Sequence, residues 1–215
     1  MLLILIGAAL LTAGSALQCE VCFAINTNTC SDQHYETCKS TQNHCMTKLT
    51  ETSMGHGDDT LSSATLQKSC GSSYDCTHPA TLTTTEFQVR VTTKCCNQDF
   101  CNNGTIAGHP QNSTMNGVTC ESCFARDSEK CGMKRPMNCS GDEMHCVQYS
   151  ATRDGSTITV AGCASESMQM SEGTAAFKGS SVVVHQMRNS SKSWSWNTFL
   201  LPWFAVMATL WTCAY

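Results

Sequence analysis

Cysteines are the residues of this sequence best placed to do chemistry, since 17 of its 215 residues are Cys. Four of them form two Cys-x-x-Cys pairs, Cys19/Cys22 and Cys120/Cys123. In a reducing compartment such pairs bind zinc or exchange disulfides, whereas in a secreted protein the same spacing belongs to structural bridges. The compartment of the chain therefore decides what these sulfurs do.

The N-terminus predicts an oxidising compartment. Leu2–Leu11 is an unbroken small and apolar run, and Gly14-Ser15-Ala16 places small residues where signal peptidase requires them. We interpret residues 1–16 as a signal peptide that is cleaved before Leu17. A retained anchor is the alternative, but the run is too short to span a bilayer. Export favours structural disulfides at both Cys-x-x-Cys pairs.

Sites of catalysis, metal binding or nucleic-acid binding are not predicted. Secreted phospholipases A2 carry a double Cys followed by two residues and a His-Asp pair, but Cys95–Cys101 contains no His to act as a base. Serine-hydrolase and paired-His metalloprotease motifs are missing from the sequence. With 13 Lys and Arg against 17 Asp and Glu, the chain lacks the basic footprint of a nucleic-acid binder. We therefore predict a protein that is not an enzyme and needs no cofactor.

The elements that hold these residues must be stabilised covalently. Between Leu17 and Asn189 only 22 residues are Leu, Ile, Val or Phe, while 16 are Cys. So few large apolar side chains cannot build an ordinary core, and cross-linking is the alternative route to a fixed fold. The composition indicates small disulfide-rich domains.

A tandem duplication organises the cysteines. The steps of 3, 8, 8 and 7 residues from Cys19 to Cys45 recur unchanged from Cys120 to Cys146, at an offset of 101. We predict a first domain over 17–103, a linker over 104–117 and a second, truncated domain over 118–189, with no bridge across the linker. The Gly-, Asn-, Ser- and Thr-rich composition of Asn103–Gly117 is typical of a surface linker.

Strands are the predicted secondary structure. Glu86–Thr92 and Thr157–Val160 alternate polar and apolar residues with a period of two, and no segment shows a sustained helical pattern. Asp154-Gly155 indicates a two-residue hairpin turn, and 54–59 forms a longer turn at the matching place in the first copy.

The end of the first copy resembles a known family. Cys95-Cys96, four residues and then Cys101-Asn102 is similar to the close of domains in the lymphocyte-antigen-6/urokinase-receptor superfamily. The resemblance implies an all-β, small, disulfide-rich fold of two tandem three-finger domains, the second lacking the last two disulfides. It implies that Asn102 ties the closing loop to the knot of bridges through side-chain hydrogen bonds. In the first domain it implies the pairs Cys19–Cys45, Cys22–Cys30, Cys38–Cys70, Cys76–Cys95 and Cys96–Cys101.

The second copy departs from the family pattern because it lacks the last four cysteines. The resemblance leaves it the pairs Cys120–Cys146, Cys123–Cys131 and Cys139–Cys163. Its third finger is then held by strand pairing through Val182–Val184, or is partly loose. The two-domain arrangement and Gly162-Cys163-Ala164-Ser165 look most like the gamma type of phospholipase A2 inhibitor and its surface-anchored, urokinase-receptor-like relatives.

The C-terminus predicts a glycolipid anchor. Phe199–Tyr215 is apolar and ends without Lys or Arg, and it follows a polar spacer and the small triplet Asn189-Ser190-Ser191. We predict attachment at Asn189 and removal of 190–215, which also discards the unpaired Cys213. The triplet Gly179-Ser180-Ser181 and a single-pass helix are the alternatives.

These observations predict a non-enzymatic, GPI-anchored surface protein that binds a protein ligand as a receptor, adhesion molecule or modulator. The alternative is a secreted inhibitor of phospholipase A2, which would have no use for an apolar tail. The first domain, with more bridges, is the expected contact surface. The candidate contacts are His56, Asp58 and Asp59 with the strand face of Phe87, Val89 and Val91, and ordinary surface or core is the alternative for each. The linker sequons predict N-glycosylation at Asn103 and Asn112.

Overall fold

The computed structural model describes residues 16–32, 34–55, 60–76, 79–128, 130–153, 155–170 and 181–189. The predicted signal peptide up to residue 15, the contact candidates His56, Asp58 and Asp59, and the tail after Asn189 lie outside the described residues. Within the described ranges, no helix is long and apolar enough to cross a membrane.

Strands form nearly all of the regular structure, as predicted. The first repeat contains β1 (Gln18–Glu20), β2 (Cys22–Ile25), β3 (Tyr35–Thr37), β4 (His44–Met54), β5 (Leu61–Gly71), a 3-10 turn (Ser73–Asp75), β6 (Ala80–Thr83) and β7 (Phe87–Cys96). The second repeat contains β8 (Met115–Arg126), β9 (Arg135–Ser140), β10 (His145–Arg153), β11 (Ser156–Ala164), the short helix α1 (Glu166–Met170) and β12 (Ser181–Asn189).

Eight disulfides take the place of a large apolar core. They join the same pairs that the family resemblance implied: Cys19–Cys45, Cys22–Cys30, Cys38–Cys70, Cys76–Cys95, Cys96–Cys101, Cys120–Cys146, Cys123–Cys131 and Cys139–Cys163. The Cα–Cα distances of the three shared bridges are 5.3, 6.2 and 5.6 Å in the first repeat. They are 5.4, 6.1 and 5.5 Å in the second, so the duplicated spacing has produced a duplicated knot.

The closing Asn102 performs the role predicted for it. Its side chain is 4% exposed, its Oδ1 accepts a hydrogen bond from the Glu20 amide at 2.9 Å, and its Nδ2 donates to the carbonyls of Glu20 and Met46 at 2.9 and 3.3 Å. Three bonds from one side chain join the loop of the last bridge to β1 and β4.

The two repeats are joined by strand pairing, although none of the eight disulfides links one repeat to the other. One sheet runs in the order β12-β10-β11-β6-β7-β4-β5-β2, and β6 of the first repeat pairs with β11 of the second. Thr83 lies opposite Cys163 and Leu82 opposite Ala164. The contact is short, but it makes the sheet continuous across the duplication.

A shared core lies under this junction. It is built from Ala80, Leu82, Phe87, Val89 and Val91 of the first repeat and Val147, Tyr149, Val160, Ala164 and Met168 of the second. Tyr149 is fully buried and donates its hydroxyl to the carbonyl of Met168 at 3.0 Å, which fixes α1 against the sheet. Residues of both repeats therefore form one apolar core that neither repeat could form alone.

The strand face of Phe87, Val89 and Val91 had two interpretations, a ligand contact or core, and the structure shows core. These side chains are only 9%, 1% and 2% exposed, because they point into the shared core. The period of two was read correctly, but the second repeat covers the apolar side of the strand.

The third finger of the second repeat is held by strand pairing. The backbone of β12 lies antiparallel to β10, with Val182, Val183 and Val184 opposite Ala151, Ser150 and Tyr149. Of the two possibilities left open by the missing bridges, the structure shows the paired one.

Candidate binding surfaces

The sheet of the first repeat has two faces with different neighbours. Side chains alternate along each strand, so Leu49, Glu51 and Arg90 share one side and Val89 and Val91 the other. We call the first side the groove face and the second the junction face. The junction face meets the second repeat, while the groove face meets the linker.

The linker is packed against the groove face instead of lying free on the surface. Ile106 is 5% exposed and packs with Leu49 and Leu66. Further along, the His109 amide donates to Thr92 Oγ1 at 2.9 Å, and Arg90 Nη1 donates to the His109 carbonyl at 3.3 Å. The polar composition of the segment concealed one apolar residue that anchors it.

An open groove of about 780 Å³ lies between this linker and the tip of β4 and β5. Hydrogen-bonding side chains line most of it: Asn26, Thr27, Asn28, Glu51, Thr52, Ser53, Ser62, Ser63, Gln88 and Arg90. Ile106, Ala107 and Gly108 of the linker form part of its wall. A surface of this kind suits an extended polar segment better than a small apolar molecule.

Glu51 gives the groove an unsatisfied acceptor. Its Oε2 is enclosed and accepts no hydrogen bond from any described residue, and its closest cation is Arg90 Nη1 at 3.8 Å. The backbone at Gly108 lies so close to this carboxylate that a side chain there would collide with it. The Glu51 side chain as a whole is 38% exposed, so a ligand with an N–H donor can reach the part of it that faces the groove.

Glu143 occupies the junction between the repeats on the groove face. Thr83 Oγ1 donates to its Oε1 at 2.5 Å, and a small cavity of about 150 Å³ opens beside it. Burial raises the pKa of Glu143 above the ordinary 4.5, an effect that the hydrogen bond from Thr83 opposes. A carboxyl group with a raised pKa therefore lies inside the contact between the repeats.

A buried ion pair lies near the knot of the first repeat. Lys68 Nζ is 2.8 Å from Glu20 Oε2, and both side chains are 2% exposed. The Glu20 backbone is the one that Asn102 ties down. The pair is enclosed, so it acts within the scaffold and not as a ligand contact.

The cysteines carry no thiol chemistry among the described residues. Two groups of three sulfurs lie within 4.8 Å of one another, around Cys19 and around Cys120. Every sulfur in them belongs to a disulfide, so none can serve as a thiolate ligand for zinc.

Both sequons proposed for glycosylation are exposed and lie towards the groove face. Asn103 follows Asn102 at the end of the first repeat, and Asn112 lines the cavity beside Glu143. The Asn112 Oδ1 accepts a hydrogen bond from the Thr114 amide at 3.0 Å. Glycosylation of either residue remains a prediction.

The outer edge of the sheet exposes an apolar pair. Phe23 and Ile25 are 66% and 62% exposed on β2, which is the terminal strand of the sheet. Sequence reasoning singled out neither this pair nor Glu51 and Arg90. Alternation could have found Arg90, since a strand that buries Val89 and Val91 must turn Arg90 to the other side.

Comparison with known proteins agrees with this architecture. The family model of the u-PAR/Ly-6 domain matches the chain twice, over residues 15–104 and 116–193. Among solved structures, the crystal structure of mouse TEX101 is similar over 80% of this chain and 99% of that chain, with 15% sequence identity and a TM-score of 0.35. A likeness this distant carries no argument about a ligand.

Proposed function

The chain belongs to the u-PAR/Ly-6 domain family, and from that membership and the geometry of the groove face we propose that it is a non-enzymatic, glycolipid-anchored surface protein that binds a protein ligand. Members of the family are generally binding proteins without enzymatic activity, and they are often extracellular. The groove is the observation that carries the proposal, because it offers many hydrogen-bonding side chains on a scaffold fixed by bridges.

The ligand segment that fits the groove is extended and presents hydrogen-bond donors. The exposed part of the Glu51 carboxylate faces the groove, and Ser53 on the same strand and Ser62 on the neighbouring strand stand beside it. Because five bridges hold the first repeat, little conformational entropy is lost when a partner docks. A Lys- or Arg-bearing loop of a partner protein meets these requirements.

Anchorage is proposed at Asn189, the last residue of β12. The backbone of Asn189 lies opposite His145, next to the bridge of Cys146. A glycolipid at this position would hold the second repeat near the membrane. Strand β2 lies seven strands from β12, about 34 Å along the sheet at ~4.8 Å per strand, so the first repeat would face outward.

Site-specific crosslinking tests ligand binding. A photoreactive phenylalanine replaces Ser62 in the groove wall of the full chain displayed on cells, and a matched variant carries it at Tyr74, which is 90% exposed on the 3-10 turn outside the groove. We expect a discrete protein adduct from position 62 that excess soluble ectodomain competes away and that Glu51→Gln weakens. Adducts of equal yield from position 74 would contradict the groove as the binding site.

Purified secreted phospholipase A2 serves as a defined arm of the same experiment. A saturable adduct with the phospholipase, together with inhibition of its activity, would favour a phospholipase A2 inhibitor over a surface receptor as the function of this protein. Hydrolysis of an ester or peptide by the pure ectodomain would contradict the non-enzymatic proposal.

Phosphatidylinositol-specific phospholipase C tests the anchor. Treatment of expressing cells should release the protein, and Asn189→Gln should lower its surface level, since transamidation requires a small residue at the attachment site. Protein that stays on the cells while an anchored control is shed would favour the single-pass alternative.

A further inference from the structure

A short strand segment, called the motif below, is duplicated in the two repeats and has different neighbours in each. Cys22–Ile25 corresponds to Cys123–Arg126 at the offset of 101, and each segment pairs with the second-finger strand of its own repeat. In the second repeat the motif is covered, whereas in the first it lies open at the end of the sheet. The residues that cover the motif in the second repeat therefore indicate what kind of partner fits the exposed motif of the first.

Fingertips of the first repeat cover the motif of the second. The ring of Phe124 stacks on Phe87 at the tip of the third finger, with centroids 5.6 Å apart and planes at 22°. Ser122 Oγ accepts a hydrogen bond from the Thr85 amide at 2.8 Å, and Met54 at the tip of the second finger packs on the same core. The motif of the second repeat, around Phe124, is therefore a binding surface for the tips of two hairpins that carry apolar residues and belong to the other three-finger domain. We call such a surface a seat.

In the first repeat the corresponding aromatic is Phe23, which is 66% exposed, and Ile25 beside it is 62% exposed. Two large apolar side chains on one edge strand, with polar neighbours, form the kind of patch at which proteins dock. Phe23 and Ile25 point to the same side of the strand as the corresponding residues of the second repeat, because the register with the partner strand is the same in both repeats.

The open seat is continuous with the established junction. One row of side chains crosses the junction face from the edge to the shared core, through Ile25, Thr65, Thr50, Val91 and Ala80. Val91 and Ala80 at its inner end are each 2% exposed under the second repeat. A partner on the edge would therefore extend an interface that the chain already uses.

We propose that β2 of the first repeat, through Phe23 and Ile25, docks the apolar fingertips of a three-finger domain on another protein. A second copy of this chain is a poorer occupant. Its first-repeat tips are already seated on Phe124, and the second-finger turn of its second repeat, 152–156, carries no large apolar residue. That leaves a second copy the single apolar side chain Phe177, in the sequence between α1 and β12, whereas two apolar side chains, Phe87 and Met54, cover the motif of the second repeat. This interface is separate from the groove face and does not depend on a ligand bound there.

A hairpin taken from the occupied interface is the probe. A cyclised peptide of residues 80–91 presents Phe87 on its own turn and is labelled for fluorescence anisotropy. We expect saturable binding to the full ectodomain, with a Kd on the order of 100 μM because one aromatic anchor dominates. The binding should weaken about tenfold to a hundredfold with Phe23→Ser, and similarly with Ile25→Ser.

The controls distinguish specific docking at Phe23 and Ile25 from non-specific hydrophobic binding. Tyr74→Ser removes an aromatic that is 90% exposed elsewhere and should leave hairpin binding unchanged, and a Phe87→Ser hairpin should not bind. Equal binding to wild type and Phe23→Ser, or no binding up to about 1 mM hairpin, would overturn the proposal. Dimerisation of the wild-type ectodomain that Phe23→Ser abolishes would also overturn it, since the occupant would then be a second copy.

Discussion

Gly162 is the position at which one added methyl group should separate the two repeats. It lies in β11, and a Cβ built on it would collide with the carbonyl oxygen of Thr83 and lie 3.1 Å from its carbonyl carbon. Thr83 belongs to β6 of the other repeat, so the collision is with backbone and cannot be relieved by a rotamer change. Glycine in a strand marks such close approaches.

The cost of Gly162→Ala follows from what must move. Overpacking costs ~1–3 kcal/mol. Displacing β6 also strains two hydrogen bonds, from the Ser165 amide to the Thr81 carbonyl at 3.0 Å and from the Thr81 amide to Ser165 Oγ at 2.9 Å. At ~1 kcal/mol each, they bring the loss in unfolding free energy to about 3–5 kcal/mol.

Differential scanning calorimetry of the ectodomain measures this loss. For a folded body of this size we expect the melting temperature of Gly162→Ala to fall by about 10 °C. Gly132→Ala is the matched control, because no atom lies within 4 Å of its added Cβ. A Gly162→Ala protein that melts within a degree of wild type would refute the close packing of β11 on β6.

Two further substitutions test buried charges. Lys68→Met leaves the Glu20 carboxylate buried without its cation and should lower the free energy of unfolding, measured by chemical denaturation, by ~3–5 kcal/mol. The control Lys134→Met breaks a 3.7 Å pair on the surface and should lower it by less than ~1 kcal/mol. Equal losses would contradict the enclosure of the Lys68–Glu20 pair. The raised pKa of Glu143 means that the folded state holds its proton more tightly, so this group's stabilisation is present below pH 4.5 and is lost as the pH rises through the higher folded pKa. Glu143→Gln should flatten that part of the stability–pH profile, and an unchanged profile would contradict burial of the carboxyl.

Cysteine spacing made the architecture predictable. Bridges impose fixed separations on Cα atoms, so a repeated series such as Cys19–Cys45 and Cys120–Cys146 defines two similar knots before any packing is known. The alternation in Glu86–Thr92 likewise identified which side of β7 is apolar, although not what covers it.

The junction was beyond sequence reasoning for physical reasons. Strand β6 is only four residues long, and its pairing with β11 joins two segments that belong to different repeats and lie far apart in the sequence. Gly162 was noticed as part of a familiar element, but the sequence does not reveal which backbone approaches it. The buried Ile106 was masked by its polar neighbours, because one apolar residue produces no periodic pattern.

The account depends on the two repeats forming one body, since the shared core and the seat around Phe124 exist only when they do. The most direct measurement is the ratio of calorimetric to van't Hoff enthalpy for unfolding of the wild-type ectodomain with its disulfides intact. A single transition with a ratio near one is predicted, because separating the repeats would expose the core that they share. Two separable transitions, one for each repeat, would contradict it.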